Sequence, residues 1–478
     1  MPISSLHPQL AKYEEIYEFL ERLYDGEQEV KAHAKKYVPM LSGQSQKKFQ
    51  DYVNRGMFYN AFSKTIDALI GSAFNVAPAI NLPKQLEYLR MDATGQGTSL
   101  TELAMALCVE ALKTGRAGLL VDRPADGGAP YLVVYDCDDI INWRDGYFIV
   151  LEDEQLEPKE DDPYEFEEVE GFRELTIIDG EYVVRIWREN TDPKTKTKEP
   201  YQIVETYIPE KFGRPMEDIP FVFIGPNGLD SDIGRPPLLD LANVQKIHFQ
   251  VECDRANAVH VSCIPTPYIT GLQPEENFEL KMGSDACIVL PDVSSKVGFL
   301  EFQAQGLDPV IKYLEKLEST MAALGARVAE NRQNNRTLIE TATGSRIREA
   351  LSVSTLGSII ATVEAALNKC VKWAAEWEGA NPDDVSITLN KEVVSANMDA
   401  NMVNALMGAV QAGLISQDTF YAKLSDAGLT EPGVPVEEEV KRIKKSMELM
   451  SELVPEHQQM PTSDDDSEQV VDNQGGNT

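Results

Sequence analysis

Apolar positions recur at helical spacing through the first hundred residues and then gather into short β-type runs. Phe49, Tyr52, Val53, Phe58, Phe62, Ile66 and Ile70 return every three to five positions and predict a helix across residues 44–74. Ser99, with Glu102 three places on, forms a candidate capping box ahead of LAMALCVEALK and predicts another helix there. From 117 to 225 short runs such as GLLVDR, YLVVYD, YFIVL, EYVVRIW and PFVFIG lie between Asp, Gly and Pro turns. That stretch predicts a β-rich region joined to a helical one.

After residue 225 the pattern turns helical again. Pro236 and Pro237 suit a first helical turn, where a missing N–H costs no intrahelical bond. Leu238, Leu241, Ile247, Val251 and Ala258 supply an interrupted apolar stripe, and Pro265 limits the helix to 237–263. PYITG, ACIVLP and GFLEF make 264–305 a compact mixed segment, and 308–330 reads as a second helix. RQNNRTLIETATG has the Asn and Gly of a loop. Residues 345–378 lack proline and are rich in Ala, Leu and small hydroxyl residues, which predicts one helix about 51 Å long at ~1.5 Å per residue. A helix of that length needs neighbours on more than one side. Gly357 inside it marks a place for a kink. VSITL reads as a short strand, 400–450 as a small helical group, and the polar, acidic end of the chain as disordered.

Composition narrows the function. The 478 residues suggest about three compact units at roughly 150 residues each. No apolar run approaches the ~20 residues needed to cross a bilayer. The start, MPISSLHPQLAK, has no basic stretch followed by an apolar one, so a cytoplasmic site of synthesis and assembly is expected. The charge is the unusual quantity: 44 Lys and Arg stand against 78 Asp and Glu, a formal net of −34. Such a chain repels polyanions at long range, which argues against tight binding to DNA, RNA or an anionic membrane. It is compatible with letting DNA slide past. Residues 152–174 hold twelve acids and two bases and read as a solvated excursion between strands. Residues 327–348 reverse the sign with five arginines against two glutamates.

Candidate chemistry is sparse. GxxxxGK[ST], HExxH and GxSxG are absent, and Gly95-Gln96-Gly97 lacks both a third glycine at the right spacing and a preceding strand. The six cysteines have no CxxC spacing and read as reduced, mostly buried thiols. His248, Cys253, His260 and Cys263 share one predicted helix, but their spacing does not converge on one face, so they read as core or interface residues rather than zinc ligands. Trp373 and Trp377, four apart, read as packing residues. No catalytic residue, metal or cofactor is expected.

In their order these parts resemble the phage portal protein family, the ring at one capsid vertex. The resemblance spans about 117–428. It rests on IGRPPLLDLANVQKIHF at the first long helix, MAALGAR closing the second, TATGSR before the third, ALMGAVQAGLISQDTFYAKL near the end, and a tryptophan turn, DIINWRD, at 139–145. It implies an α+β fold with a β-rich wing (1–236), stem helices (237–263 and 308–330) bracketing a small α/β clip (264–305), a tunnel loop (331–344), a long helix returning to the wing (345–398), a helical crown (399–455) and a disordered acidic tail (456–478).

The same resemblance implies a non-enzymatic, dodecameric homo-oligomer in the virion. Double-stranded DNA would pass through it during packaging and ejection without sequence-specific binding. The major capsid protein, the large terminase motor and head–tail adaptor or tail proteins would dock on it, and no membrane is involved. On the loop, Arg332, Asn334, Asn335 and Arg336 are the candidate DNA contacts; pairing of the arginines with acids of a neighbouring subunit is the alternative. The competing functional readings are another capsid-associated ring or adaptor without a DNA tunnel, and an acidic hydrolase.

Overall fold

The computed structural model describes residues 2–40, 42–124, 127–153, 155–159, 162, 164–190, 200–263, 266–271, 296–300, 307–329 and 355–390 of one compact unit, Met1–Val393. Of a second unit, Val394–Thr478, scattered positions between 406 and 445 are described. The expected loop with Arg332, Asn334, Asn335 and Arg336, the ACIVLP run, residues 345–354, most of 399–455 and all of 456–478 lie outside the described residues.

The amino-terminal part is helical: α1 (Leu10–Asp25), α2 (Glu27–Ala32), α3 (Gln46–Arg55), α4 (Ala61–Ala73) and, after the short strand β1 (Ala79–Asn81), α5 (Leu100–Lys113). The single helix expected over 44–74 is two helices. The chain turns at Gly56, where a Cβ would stand 3.2 Å from the Cys253 Cα, so a close backbone approach interrupts the apolar period. Asn60 then caps α4 by accepting from the Ser63 amide. The Ser99 capping box is present: Ser99 Oγ accepts from the Glu102 amide at 3.2 Å, and Glu102 Oε2 accepts from the Ser99 amide at 2.8 Å.

The β region follows as β2 (Ala117–Asp122), β3 (Tyr131–Tyr135), β4 (Ile140–Arg144), β5 (Phe148–Glu152), β6 (Gln155–Pro158), β7 (Phe166–Val169), β8 (Gly171–Ile178), β9 (Glu181–Glu189), β10 (Tyr201–Tyr207), β11 (Glu210–Lys211), β12 (Arg214–Pro215) and β13 (Phe221–Ile224). An antiparallel five-stranded sheet has the order β10-β9-β8-β5-β4, and a three-stranded one β13-β2-β3. The DIINWRD segment, expected as a turn, is strand β4, because pairing with β5 outweighs its polar composition. The middle of the acidic stretch 152–174 is a solvated excursion between strands β5 and β8, folded as the β6–β7 hairpin, with residues 158, 159, 162, 164–166 and 170 exposed. Its end is not, since Arg173 is buried in the sheet, donating to Asp122 Oδ2 at 2.7 Å and Tyr207 Oη at 2.8 Å.

The last described elements are α6 (Leu239–Ser262), β14 (Thr266–Thr270), β15 (Lys296–Leu300), α7 (Leu307–Ala329), α8 (Thr355–Trp377) and β16 (Ser386–Thr388), which pairs with β1. Helix α8 packs against α5, β2, β13 and α7 and buries side chains all round, including Leu356, Ile360, Val363, Leu367 and Val371. Neighbours on several sides satisfy its apolar composition. The architecture is α+β. Among the described residues no helix is long and apolar enough to cross a membrane.

Candidate functional site

Helices α6 and α7 pack against each other and are about 36 and 34 Å long at ~1.5 Å per residue. Their pairing is antiparallel and in one register. A Cβ at Gly325 would lie 3.6 Å from Leu241 Cδ1, His248 Nε2 is 3.3 Å from Glu318 Oε1, and beyond the helices Thr266 pairs with Leu300 across β14 and β15. Each of these pairs is equidistant in sequence from the same midpoint. The helix pair and the β14–β15 hairpin thus share one antiparallel register in the sequence.

The base of the helix pair is built into the body. Buried residues of α6 are Leu241, Ala242, Gln245, His248, Phe249, Glu252 and Cys253. The apolar stripe read from the sequence is only partly the buried face, since Ile247 is exposed and Val251 and Ala258 are half-buried. Polar residues hold the inner face because each finds a partner on another element or turn. Gln245 Oε1 accepts from the Phe62 amide at 2.7 Å, and Glu252 receives the Arg255 guanidinium at 2.8 Å. His248 lies between Glu318 and the Tyr59 ring, 5.5 Å away. Burial pushes the Cys253 thiol up to about 12. Tyr52 donates to Asp254 Oδ1 at 2.7 Å; burial and that carboxylate raise its hydroxyl well above the ordinary tyrosine value.

Core contact ends at the same level on both helices. After Cys253 no α6 residue is buried, and before Leu314 no α7 residue is buried; by the shared register Cys253 stands opposite Tyr313. Beyond that level lie about two and a half turns of α6 and two turns of α7 that bury no side chain, although Arg55 of α3 still donates to Asn257 Oδ1 at 3.4 Å. They still carry apolar side chains: Val259, Val261, Ile311 and Tyr313 are between 37% and 53% exposed, as is Tyr268 on β14. The apolar period of α7 runs unbroken through Leu307, Ile311, Leu314, Leu317, Met321 and Val328, so its sequence alone does not mark where burial stops. That surface is the signal the sequence reading missed.

His248 and Cys253 are thus core residues, while His260 and Cys263 are exposed near the end of α6. Among the described residues no group of His, Cys, Asp and Glu side chains is placed to hold a metal ion. Trp377 is buried, donating from Nε1 to the Glu210 carbonyl at 2.9 Å, and Trp373 is half-buried with Lys369 Nζ over its ring.

A protein-family profile described as a domain of unknown function (DUF4055) matches residues 237–378, a span beginning two residues before α6 and ending one residue after α8. No curated protein matches the chain. Among solved structures, the chain is similar to one from the neck of an empty gene transfer agent particle computed with C6 symmetry, at 14% identity and a TM-score of 0.39, covering 82% of this chain and 97% of that one. It is also similar to one from the virion of a native gene transfer agent particle, at 15% identity, coverage of 82% and 97%, and a TM-score of 0.37. A third, from the neck of a native particle computed with C12 symmetry, has 15% identity, coverage of 80% and 94%, and a TM-score of 0.37.

Proposed function

We propose that this chain is a subunit of a portal ring at a phage capsid vertex, a non-enzymatic head-to-tail connector with a channel for double-stranded DNA. The observation that carries this reading is the antiparallel pair α6 and α7, whose burial in the core ends at one level while apolar side chains continue beyond it. A lone globule gains nothing from such a face, because apolar area in water costs about 25 cal/mol per Å² relative to burial. Sister copies arranged around an axis would cover it.

The charge balance supports the same reading. DNA moving through a channel must not lock onto lysines and arginines, since each phosphate contact adds a salt-dependent free energy that has to be released at the next step. A net charge of −34 per subunit keeps such contacts few. Arg332 and Arg336, with Asn334 and Asn335, would supply the transient ones. Capsid protein, terminase and tail adaptors would dock on the outer surfaces of the ring, in the virion.

Negative-stain images of the purified chain test the proposal. Closed rings with a central hole are expected. A monodisperse monomer at micromolar concentration, with no rings at any salt concentration, overturns it.

A further inference from the structure

A groove of about 700 Å³ opens between α1 and one end of the five-stranded sheet. Its size lies within the range of sites that take a ligand or a short peptide segment. On one wall Leu10, Glu14 and Glu18 follow one another at four-residue spacing, so a single face of α1 lines it, with Glu15 alongside. The sheet supplies the other wall: Ile141 from β4, Glu152 from β5, Phe172 from β8 and Tyr201 from β10. The Phe172 and Tyr201 rings meet edge to face at 4.7 Å.

Two properties of the groove select its occupant. Its apolar surface is the Leu6 side chain, 41% exposed, and the half-buried Tyr201 ring, over a floor closed by the buried Leu10, Ile141 and Phe172. The rim is acidic: Glu14, Glu15, Glu18, Asp138 and Glu152 stand with one lining cation, Lys36, and Glu18 is already paired with Lys36 at 2.6 Å and with Arg22. Glu14 and Glu15 are exposed and have no ion-pair partner among the described residues. The sign of the charge excludes nucleic acid. A bare metal ion or a polyamine would answer the rim and leave the apolar surface uncovered. A Lys or Arg side chain answers both, laying its aliphatic stem on apolar surface and its charge among carboxylates, with aromatic rings near enough for cation–π contact.

We infer that this groove docks a basic, amphipathic peptide segment of a partner protein, with lysines or arginines on the carboxylate rim and at least one apolar side chain on the apolar surface. The inference does not depend on ring formation, and its test is separate from the imaging of rings.

The probe is a fluorescent ten-residue peptide of Lys, Arg and Leu, followed by anisotropy in ~0.1 M salt, where the Debye length of about 10 Å suppresses attraction to distant charges. Saturable binding is expected. The double variant Glu14→Lys with Glu15→Lys should weaken it at least tenfold. The same charge change elsewhere on the sheet, Glu181→Lys with Glu205→Lys, should leave it within threefold. All four positions are exposed, and a thermal melt checks that both variants fold. A peptide with Ser in place of Leu should lose at least tenfold. Equal weakening by the two double variants, indifference to the Leu-to-Ser change, or displacement of the peptide by an equal concentration of spermidine would each overturn the inference.

Discussion

Gly325 of α7 faces Thr65 of α4 so closely that a Cβ on the glycine would lie 2.9 Å from Thr65 Cγ2. Any side chain there must push α7 off α4 or displace the threonine, at the point where the helix pair is rooted in the body. Gly325→Val is therefore expected to destabilise the fold by about 1–3 kcal/mol, the usual range for overpacking. Thr65→Ala in the same chain should recover most of the loss. Urea unfolding of the two single variants and the double variant measures the coupling, and additive effects would contradict the contact.

The exposed apolar side chains beyond the core give a cleaner test of assembly. Val259→Asp with Ile311→Asp should abolish rings while shifting monomer stability by less than about 0.5 kcal/mol, because neither side chain belongs to the core. Light scattering reports the first effect and a thermal melt the second. Intact rings in the double variant would remove this face from the interface.

Glu110 gives a pH dependence. Its Oε1 accepts from Lys113 Nζ at 2.8 Å, and its Oε2 has no partner among the described residues. Burial, reinforced by Asp136, pushes this carboxyl up to about 7 although Lys113 pulls the other way. The folded value lies above the unfolded 4.5, so between about pH 4.5 and 7 the native state holds a proton that the unfolded chain has released. Stability should fall by about 1–3 kcal/mol as pH rises through that window, and the contribution is gone above pH 7. Glu110→Gln should flatten the profile and stabilise the protein at pH 8, with Glu21, 2.7 Å from Lys113 Nζ, still neutralising the lysine. Parallel urea-stability profiles for the two proteins from pH 5 to 8 would refute this.

For the expected DNA contacts, Arg332→Ala with Arg336→Ala should leave rings intact and change DNA retention in packaging assays. Loss of rings would make the two arginines interface residues instead.

Some of these features could be read directly from the chain. The change from helical spacing to short β-type runs at 117, the reciprocal cap of Ser99 and Glu102, and the many-sided burial of α8 all depend on neighbours within a few positions or on one segment's composition. Charge counted over the window 152–174 matched its exposed middle and missed its end. There Arg173 finds Asp122 on another strand, and Trp187 Nε1 donates to Glu174 at 3.0 Å. A count over a window cannot know such partners.

By itself, then, the chain determined its alternation of helical and β-forming stretches, its acidity and the order of parts that resembles a portal subunit, because periodicity and composition are local or additive. Only the tertiary structure decided that Gln245, His248 and Glu252 face inward, that Gly56 and Gly325 are points of close approach, and that the burial of α6 and α7 stops at one level. Those outcomes depend on which distant backbone or side chain meets each residue: the Phe62 amide, the Glu318 carboxylate, the Cys253 backbone and the Thr65 methyl group. A one-dimensional pattern carries no record of such meetings until the elements have packed.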